Sequence, residues 1–383
     1  MAVFLTEREQ EIFDKAKAFA VDYINPRAAL WEEGCAMPEE ALEETRKNGF
    51  FGLGSAKEYG GQGYSWLETA LTYEGLGYGD GGFGFFVELQ NTLSKSVEDG
   101  LDEVHDTVKA LVPDLVSGKK LLAFALTDDG GGSDPFQTTA WSEKRDDGYH
   151  LFGAKSWVSN SLNADFFIVV AHEKVDGNSI GMSMYLVPKG TPGFEIKEDI
   201  RRAGGNVMSC GRIEFNDAVI SEEYLLAEDA LGRALSGINI ARVFVPAVAV
   251  GVAQRAIDIT AKYLNEREAF GGPLLENQSI SFELSDLSAQ VEAARWLMRR
   301  AATVMDTGER LSVIAAKTKF FVPNTALHVA TRCAHLFGAA GFEWNCEITR
   351  CLNMARSFKI ADGTTEVQQI VISRAIQKEA AKG

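Results

Sequence analysis

The 383-residue sequence predicts an α+β chain in three parts. These are an N-terminal α-helical domain over 1–119, a middle β-barrel or β-sandwich domain over 120–227, and a C-terminal four-helix bundle domain over 228–383. Three observations predict it. Apolar residues recur at helical spacing up to about 119, change to short alternating runs near Leu121, and return to helical spacing from about 228. The middle runs are punctuated by Gly, Asp, Asn and Pro with no helix between them, which disfavours a βαβ dinucleotide fold. The last third is written in stretches of about 30 residues, a length best packed as a bundle.

In chain order, "TEREQEIFDKAKAFAVDYI" opens with Thr6 and Glu9 at capping-box spacing, and "PEEALEETRKNGF" and "SWLETALTYEGLGYG" continue the helical pattern. "FGLGSAKEYGGQGYS" is a loop by composition. The predicted strands are "LLAFALTDD", "YHLFGAKSWVSN", "ADFFIVVAHE", "GMSMYLVPKG", "GFEIKED" and "GRIEFNDAVI". "GINIARVFVPAVAVGVAQRAIDITAKYLNERE", "SISFELSDLSAQVEAARWLMRRAATVMDTG", "RLSVIAAKTKFFVPNTALHVATRCAHLFGAAG" and "TEVQQIVISRAIQKEAAKG" are the four bundle helices.

With 38 basic against 54 acidic residues, net −16, the surface should repel nucleic acid and anionic membranes, and neither is expected as a partner. Any anion it binds needs a local basic or backbone-amide site. The five cysteines, Cys35, Cys210, Cys333, Cys346 and Cys351, are scattered and read as reduced thiols. No signal-peptide pattern and no apolar run of membrane-spanning length is read, so a cytoplasmic location is expected. Of the five histidines only His328 and His335 are close, at i, i+7, and no metal is expected.

Several stretches admit chemistry. "TDDGGGSD", Thr127 to Asp134, follows a strand; its glycines let backbone approach a ligand and can turn amides toward an anion, though a glycine-rich turn explains them equally. "KSWVSN" puts Trp157 and Ser159 on one side of a strand, where an aromatic face beside a hydroxyl suits a planar heterocycle and a core Trp is the plain alternative. Arg242 interrupts an apolar helix face and Arg267 ends a helix; each is a snorkelling arginine or a phosphate clamp. In "IADGTTEVQQIVISR" the pair Asp362-Gly363 reads locally as a turn before a helix capped by Thr364 or Thr365.

Taken together and in order, these stretches resemble the acyl-CoA dehydrogenase family over nearly the whole chain. "FALTDDGGGSD" is similar to that family's FxxTEPGAGSD loop, "WVSN" to its WITN strand, "EREAFGGPLLENQSISF" to ERxxFGxxLxxxQ, and "ADGTTEVQQIVISR" to YEGTxxIQxxxxxR. The resemblance implies a helical domain, a β domain and a four-helix bundle with FAD between the last two. It implies that Phe124, Leu126, Thr127, Gly132 and Ser133 meet the flavin, with Trp157 and Ser159 near its reactive edge. Arg267, Phe270, Gln278 and the "HLFGA" residues His335, Gly338 and Ala339 are implied to reach a neighbouring subunit's FAD, and Thr364 and Glu366 to contact the cofactor. Ser133, Asn239, Arg242 and Gly363 are implied contacts of the acyl-CoA. A homotetramer and electron-transfer flavoprotein as electron acceptor complete what the family implies. Asp362 becomes the base that removes the α-proton of a CoA thioester while the β-hydrogen leaves as hydride.

The chain departs from the family where Tyr-Glu-Gly-Thr is usual and Ala361-Asp362-Gly363-Thr364 stands. Aspartate is shorter than glutamate by one bond, about 1.5 Å, and alanine removes bulk, which points to a branched or alicyclic acyl group. Ala241 stands at the family's second base position. Glu88, Gln90 and Asn91 lie on a helix expected to line the acyl pocket, either solvated or, if inward, unfavourable to a long apolar chain. Other readings are a nitroalkane-oxidase-like enzyme, a flavin monooxygenase of the same fold, and a non-catalytic acyl-CoA-binding subunit.

Overall fold

Thr6 and Glu9 close the capping box that the sequence spells, and α1 (Glu7–Phe19) follows, continued by a π-helical turn over Ala20–Ile24. The computed structural model describes residues 5–35, 37–309 and 311–382. Met1 to Phe4 and Ala36 in the predicted first domain, Arg310 heading the third long helical stretch, and Gly383 lie outside the described residues. Next come α2 (Ala28–Gly34), α3 (Glu39–Lys47), α4 (Trp66–Gly79), α5 (Gly81–Glu98) and α6 (Asp106–Val116). Ser65 and Glu68 form a second capping box on α4, and the Asp80 carboxylate accepts from the N–H groups of Gly82 and Phe83 to start α5.

Eight strands make the middle domain: β1 (Leu122–Ala125), β2 (Trp141–Arg145), β3 (Gly148–Ser159), β4 (Phe166–Val175), β5 (Asn178–Pro188), β6 (Phe194–Asp199), β7 (Cys210–Ile220) and β8 (Leu225–Ala227). They form one sheet in the order β6-β7-β3-β2-β4-β5-β8, with β1 paired parallel to β4. β1 and β2 take consecutive stretches of β4, 122–125 against 166–169 and 141–143 against 172–174. The continuous apolar run of β4 is explained by burial on both faces. Phe166, Ile168 and Val170 pack toward Leu93, Val97, Val108 and Val112 of the helices, while Phe167, Val169 and Ala171 face Tyr185, Phe194 and Phe215 inside the β domain. β2 and β8 were not among the predicted strands. β2 reads "WSEKR" and buries only Ser142, and β8 has three residues, so neither carries an apolar alternation.

The C-terminal region holds α7 (Ala230–Glu266), a minimal hairpin of β9 (Glu268–Ala269) and β10 (Gly272–Pro273), α8 (Gln278–Thr307), α9 (Ser312–Leu336), α10 (Glu347–Ser357) and α11 (Thr365–Ala380). The predicted bundle helices are α7, α8, α9 and α11. The short α10 is an addition whose buried face is Ile348, Cys351, Met354 and Ala355. α7 overturns one expectation, because an 18-residue stretch of it has mean hydropathy 1.7, apolar and long enough to cross a membrane. It is apolar because it is the central core helix, with 67% of that stretch buried inside the protein. α4 crosses it at very close range: a Cβ on Gly77 would stand 2.5 Å from the Val248 carbonyl oxygen, and one on Gly251 would stand 2.2 Å from that of Glu74.

Candidate active site

The turn between α10 and α11 carries Asp362. Asp362 has φ +54° and Gly363 φ +96°, so two successive residues are left-handed before Thr364 caps α11 by accepting from the Val367 N–H. Buried donors tie the turn down. Lys319 of α9, 1% exposed, donates from Nζ to the Phe358 carbonyl at 2.7 Å and the Gly363 carbonyl at 3.3 Å. Gln368 donates to the Gly363 carbonyl at 3.0 Å. Arg242 of α7, 8% exposed, donates from Nε to the carbonyl of Asp362 at 3.2 Å and from Nη1 to Asn239 Oδ1 at 2.9 Å. This guanidinium does not snorkel to solvent: it is buried and is shared between the Asn239 side chain and the backbone of the acidic residue.

Those contacts leave the Asp362 side chain uncommitted. Among the described residues no hydrogen bond engages its carboxylate, and no backbone carbonyl accepts from its N–H. The carboxylate lines a cavity of about 40 Å³ with Phe124, Ile168, Met184, Ile238 and Ala241, and with Glu88, Leu89, Thr92 and Leu93 of α5. Burial pushes its pKa up, opposed by the positive charges of Lys319 and Arg242. Burial also brings Lys319 down to about 8, so it remains a cation at neutral pH.

The polar residues of α5 divide sharply. Gln90 bonds both backbone groups of Leu122, receiving at 2.8 Å and donating at 2.9 Å, and Asn91 bonds Leu53, Phe50 and Val87. Both are therefore braces between α5 and its neighbours, and neither is solvated or in the cavity lining. Glu88 alone of the three faces the cavity.

Beside the cavity the loop after β1 is laced to β3. Asp128, 6% exposed, accepts from the N–H groups of Gly130 at 2.9 Å, Gly131 at 3.0 Å and Thr139 at 2.8 Å, and from the Thr138 hydroxyl. Burial raises its pKa, but these bonds and Lys155 outweigh burial and hold it at about 2. Lys155 Nζ donates to the Leu126 carbonyl at 2.8 Å and to Thr138 Oγ1 at 2.5 Å. The Ser156 N–H donates to the Thr127 carbonyl at 2.9 Å. The amides of Gly130 and Gly131 are thus turned inward onto the Asp128 carboxylate and are not free for an external anion, whereas Gly132 has open space where a Cβ would stand. Trp157 sits at a bulge with φ +60° and is 60% exposed, and Val158 between it and Ser159 is buried. An open glycine, an uncovered indole and a half-buried Phe124 are surfaces of the kind that suit a flat aromatic ring system.

Three family models match the chain: the acyl-CoA dehydrogenase N-terminal domain over residues 6–119, the middle domain over 123–218 and the C-terminal domain over 231–377. The chain belongs to the acyl-CoA dehydrogenase family. It is 29% identical to the short-chain-specific acyl-CoA dehydrogenase of Clostridium acetobutylicum over 375 residues, covering 97% of this chain and 98% of that one. Among solved structures, butyryl-CoA dehydrogenase from Megasphaera elsdenii superposes with a TM-score of 0.91 at 29% identity, covering 98% of this chain and 100% of that one. A structure described as the FAD complex of PigA gives a TM-score of 0.90 at 26% identity, over 98% and 99% of the two chains.

Other acyl-CoA dehydrogenase positions singled out in the sequence lie away from the cavity. Arg267, Phe270, Gln278, His335, Gly338 and Ala339 are exposed, Phe270 completely. Ser133 and Glu366 are exposed as well, and Leu126 and Thr127 are half-buried. A second cavity of about 650 Å³ adjoins the first through Ser96 and Gly237. Asp99, Glu103, Glu228 and Asp229 line it against one arginine, Arg233, already bonded to the Leu226 and Ser96 carbonyls, so it is a poor seat for phosphates.

Lys319, Lys155 and Asp128 were not picked out from the sequence as site residues. Lys319 left a signal, because it falls in phase with Ala315, Ala316, Val322 and Ala326, the buried stripe of α9.

Proposed function

We propose that the chain desaturates a CoA thioester at its α,β bond, with Asp362 as the base and FAD as the cofactor. One observation carries this most: the Asp362 carboxylate and its own N–H, neither of them hydrogen-bonded among the described residues, belong to a tightly held turn beside a largely apolar cavity. A carboxylate there can take the α-proton. The backbone N–H can donate to the thioester oxygen as negative charge develops on it. Arg242 holds the carbonyl of the base residue itself and Lys319 that of Gly363 after it, so the turn does not reorganise when the charge moves. The apolar walls exclude water and keep the base's basicity high. FAD, which Gly132, Trp157 and Phe124 would hold, supplies a hydride acceptor when bound.

The acyl group we assign is compact and wide at its α-carbon, branched or alicyclic. The short acid and Ala361 in place of an aromatic support this reading. Asn239, Arg242, Gly363 and Ser133 are the positions we assign to the CoA arm. Arg267, Phe270, Gln278, His335, Gly338 and Ala339, exposed in one subunit, are assigned to a neighbour's cofactor in a homotetramer. Thr364 and Glu366 at the start of α11 are assigned to the cofactor as well. Electron-transfer flavoprotein is the assigned acceptor and the cytoplasm the assigned location, the latter fitting five unpaired thiols. Anaerobic mixing of the yellow protein with straight, branched and cyclic acyl-CoAs tests the reading. Bleaching of the flavin by a branched or cyclic thioester is expected, and a flavin that no thioester bleaches rejects the function.

A further inference from the structure

Glu88 is the one ionisable group of the cavity that the proposed reaction does not use. It is 1% exposed, in the middle of α5, and faces the same cavity as Asp362. Its hydrogen bond comes from the Thr92 hydroxyl one turn on, 2.8 Å to Oε1. Among the described residues no cation pairs with it, and Oε2 has no partner. An unpaired buried carboxylate is costly, so such a group keeps its proton. Burial and then the nearby Asp362 charge both push it that way, whereas Asp362 has Lys319 and Arg242 behind it. The two carboxyls are therefore not interchangeable: one is positioned as a base and the other as a neutral hydrogen-bond donor.

We propose that Glu88 is a specificity-determining residue that donates a hydrogen bond from Oε2 to an oxygen on the acyl chain, so that the substrate is a small oxygen-bearing acyl thioester. The acyl oxygen is a hydroxyl, ether or carbonyl oxygen beyond the α-carbon. The inference rests on the desaturation reading and narrows its substrate class. A pure hydrocarbon acyl group entering the cavity would leave the buried carboxyl unpaired, which is the situation in which polar pockets discriminate most strongly against apolar analogues.

The test uses the FAD-loaded protein and matched thioesters, cyclohexanecarboxyl-CoA with tetrahydropyran-carboxyl-CoA and isobutyryl-CoA with 3-hydroxyisobutyryl-CoA. Affinity is measured in the Asp362→Asn background, where binding is read without turnover, and flavin bleaching is measured in the parent. The oxygen-bearing member of a pair is expected to bind about tenfold more tightly, the effect of one well-placed buried hydrogen bond. Glu88→Met is expected to abolish that preference and raise affinity for the hydrocarbon member, and Glu88→Gln, which still donates, to keep part of it. Equal binding of both members by the parent cavity, or equal loss for both in Glu88→Met, overturns the proposal while leaving desaturation standing. If Glu88→Gln abolishes bleaching with every thioester and Asp362→Asn does not, Glu88 is the base and the proposal falls. If no thioester bleaches the parent protein, the desaturation reading fails and takes this inference with it.

Discussion

At position 362 the backbone requires a left-handed residue and the chemistry requires a carboxylate. Aspartate enters that region more readily than longer side chains, where an L-residue otherwise pays about 1–2 kcal/mol. The short acid is thus explained by φ +54° as well as by a wide substrate, and turn and base are the same residue. Its basicity is set from behind by Lys319. The base works only when ionised, so flavin reduction should fall as pH falls through the Asp362 pKa, which burial raises. Lys319→Met removes a cation that opposes that rise. The pH at which stopped-flow reduction is half-lost should therefore move upward in this variant, and an unmoved profile would show that Lys319 serves only the backbone.

At the scale of the element, the β1–β2 loop is rigid for reasons visible in part from its letters. "TDDGGGSD" suggested glycines that let backbone approach a ligand, whereas Gly130 and Gly131 are packed on the chain's own backbone, so that a Cβ would stand 2.5 Å from the Gln137 oxygen and 2.9 Å from the Thr138 nitrogen. What the letters did not show is that Asp128 takes those amides, since its partners Thr138, Thr139 and Lys155 are brought in by sheet register. Hydrogen bonds of this kind hold Asp128 at about 2 against an ordinary 3.8. Its folded pKa is depressed, so its stabilisation is full above the unfolded value and disappears as pH falls toward 2. Asp128→Asn should cost about 2 kcal/mol at neutral pH and almost nothing near the acid limit, as read by urea unfolding across pH. The variant should also release FAD more readily on gel filtration. A pH-independent loss would mean that the carboxylate charge is not what holds the loop.

Across the whole molecule the domain order was legible because each region keeps one hydrophobic period over many residues. β4 was legible as an apolar strand and α7 as a helix, whereas β2 and the short α10 lacked a long apolar pattern. The inner site was less legible. The direction of Glu88 against that of Gln90 and Asn91 depends on how α5 rotates between α7 and the sheet, which no local pattern states. Assembly is the remaining large-scale question. Arg267, Phe270, Gln278 and His335 stand exposed on a single subunit. Light scattering with flavin quantitation should therefore give a tetramer, with FAD lost in any variant that dissociates, such as Arg267→Glu. A monomer at full FAD occupancy would contradict that arrangement.

The claim that joins these scales is that Asp362 removes the α-proton, and one measurement addresses it directly: the anaerobic rate of flavin bleaching by a substrate thioester in the parent protein and in Asp362→Asn. Asparagine keeps the shape, the left-handed backbone and the N–H, so FAD content and thioester affinity should be unchanged. Bleaching should nevertheless slow by about 10²–10⁴-fold, because an amide cannot accept the proton. Bleaching at close to the parent rate would contradict the account and return Asp362 to being only a turn.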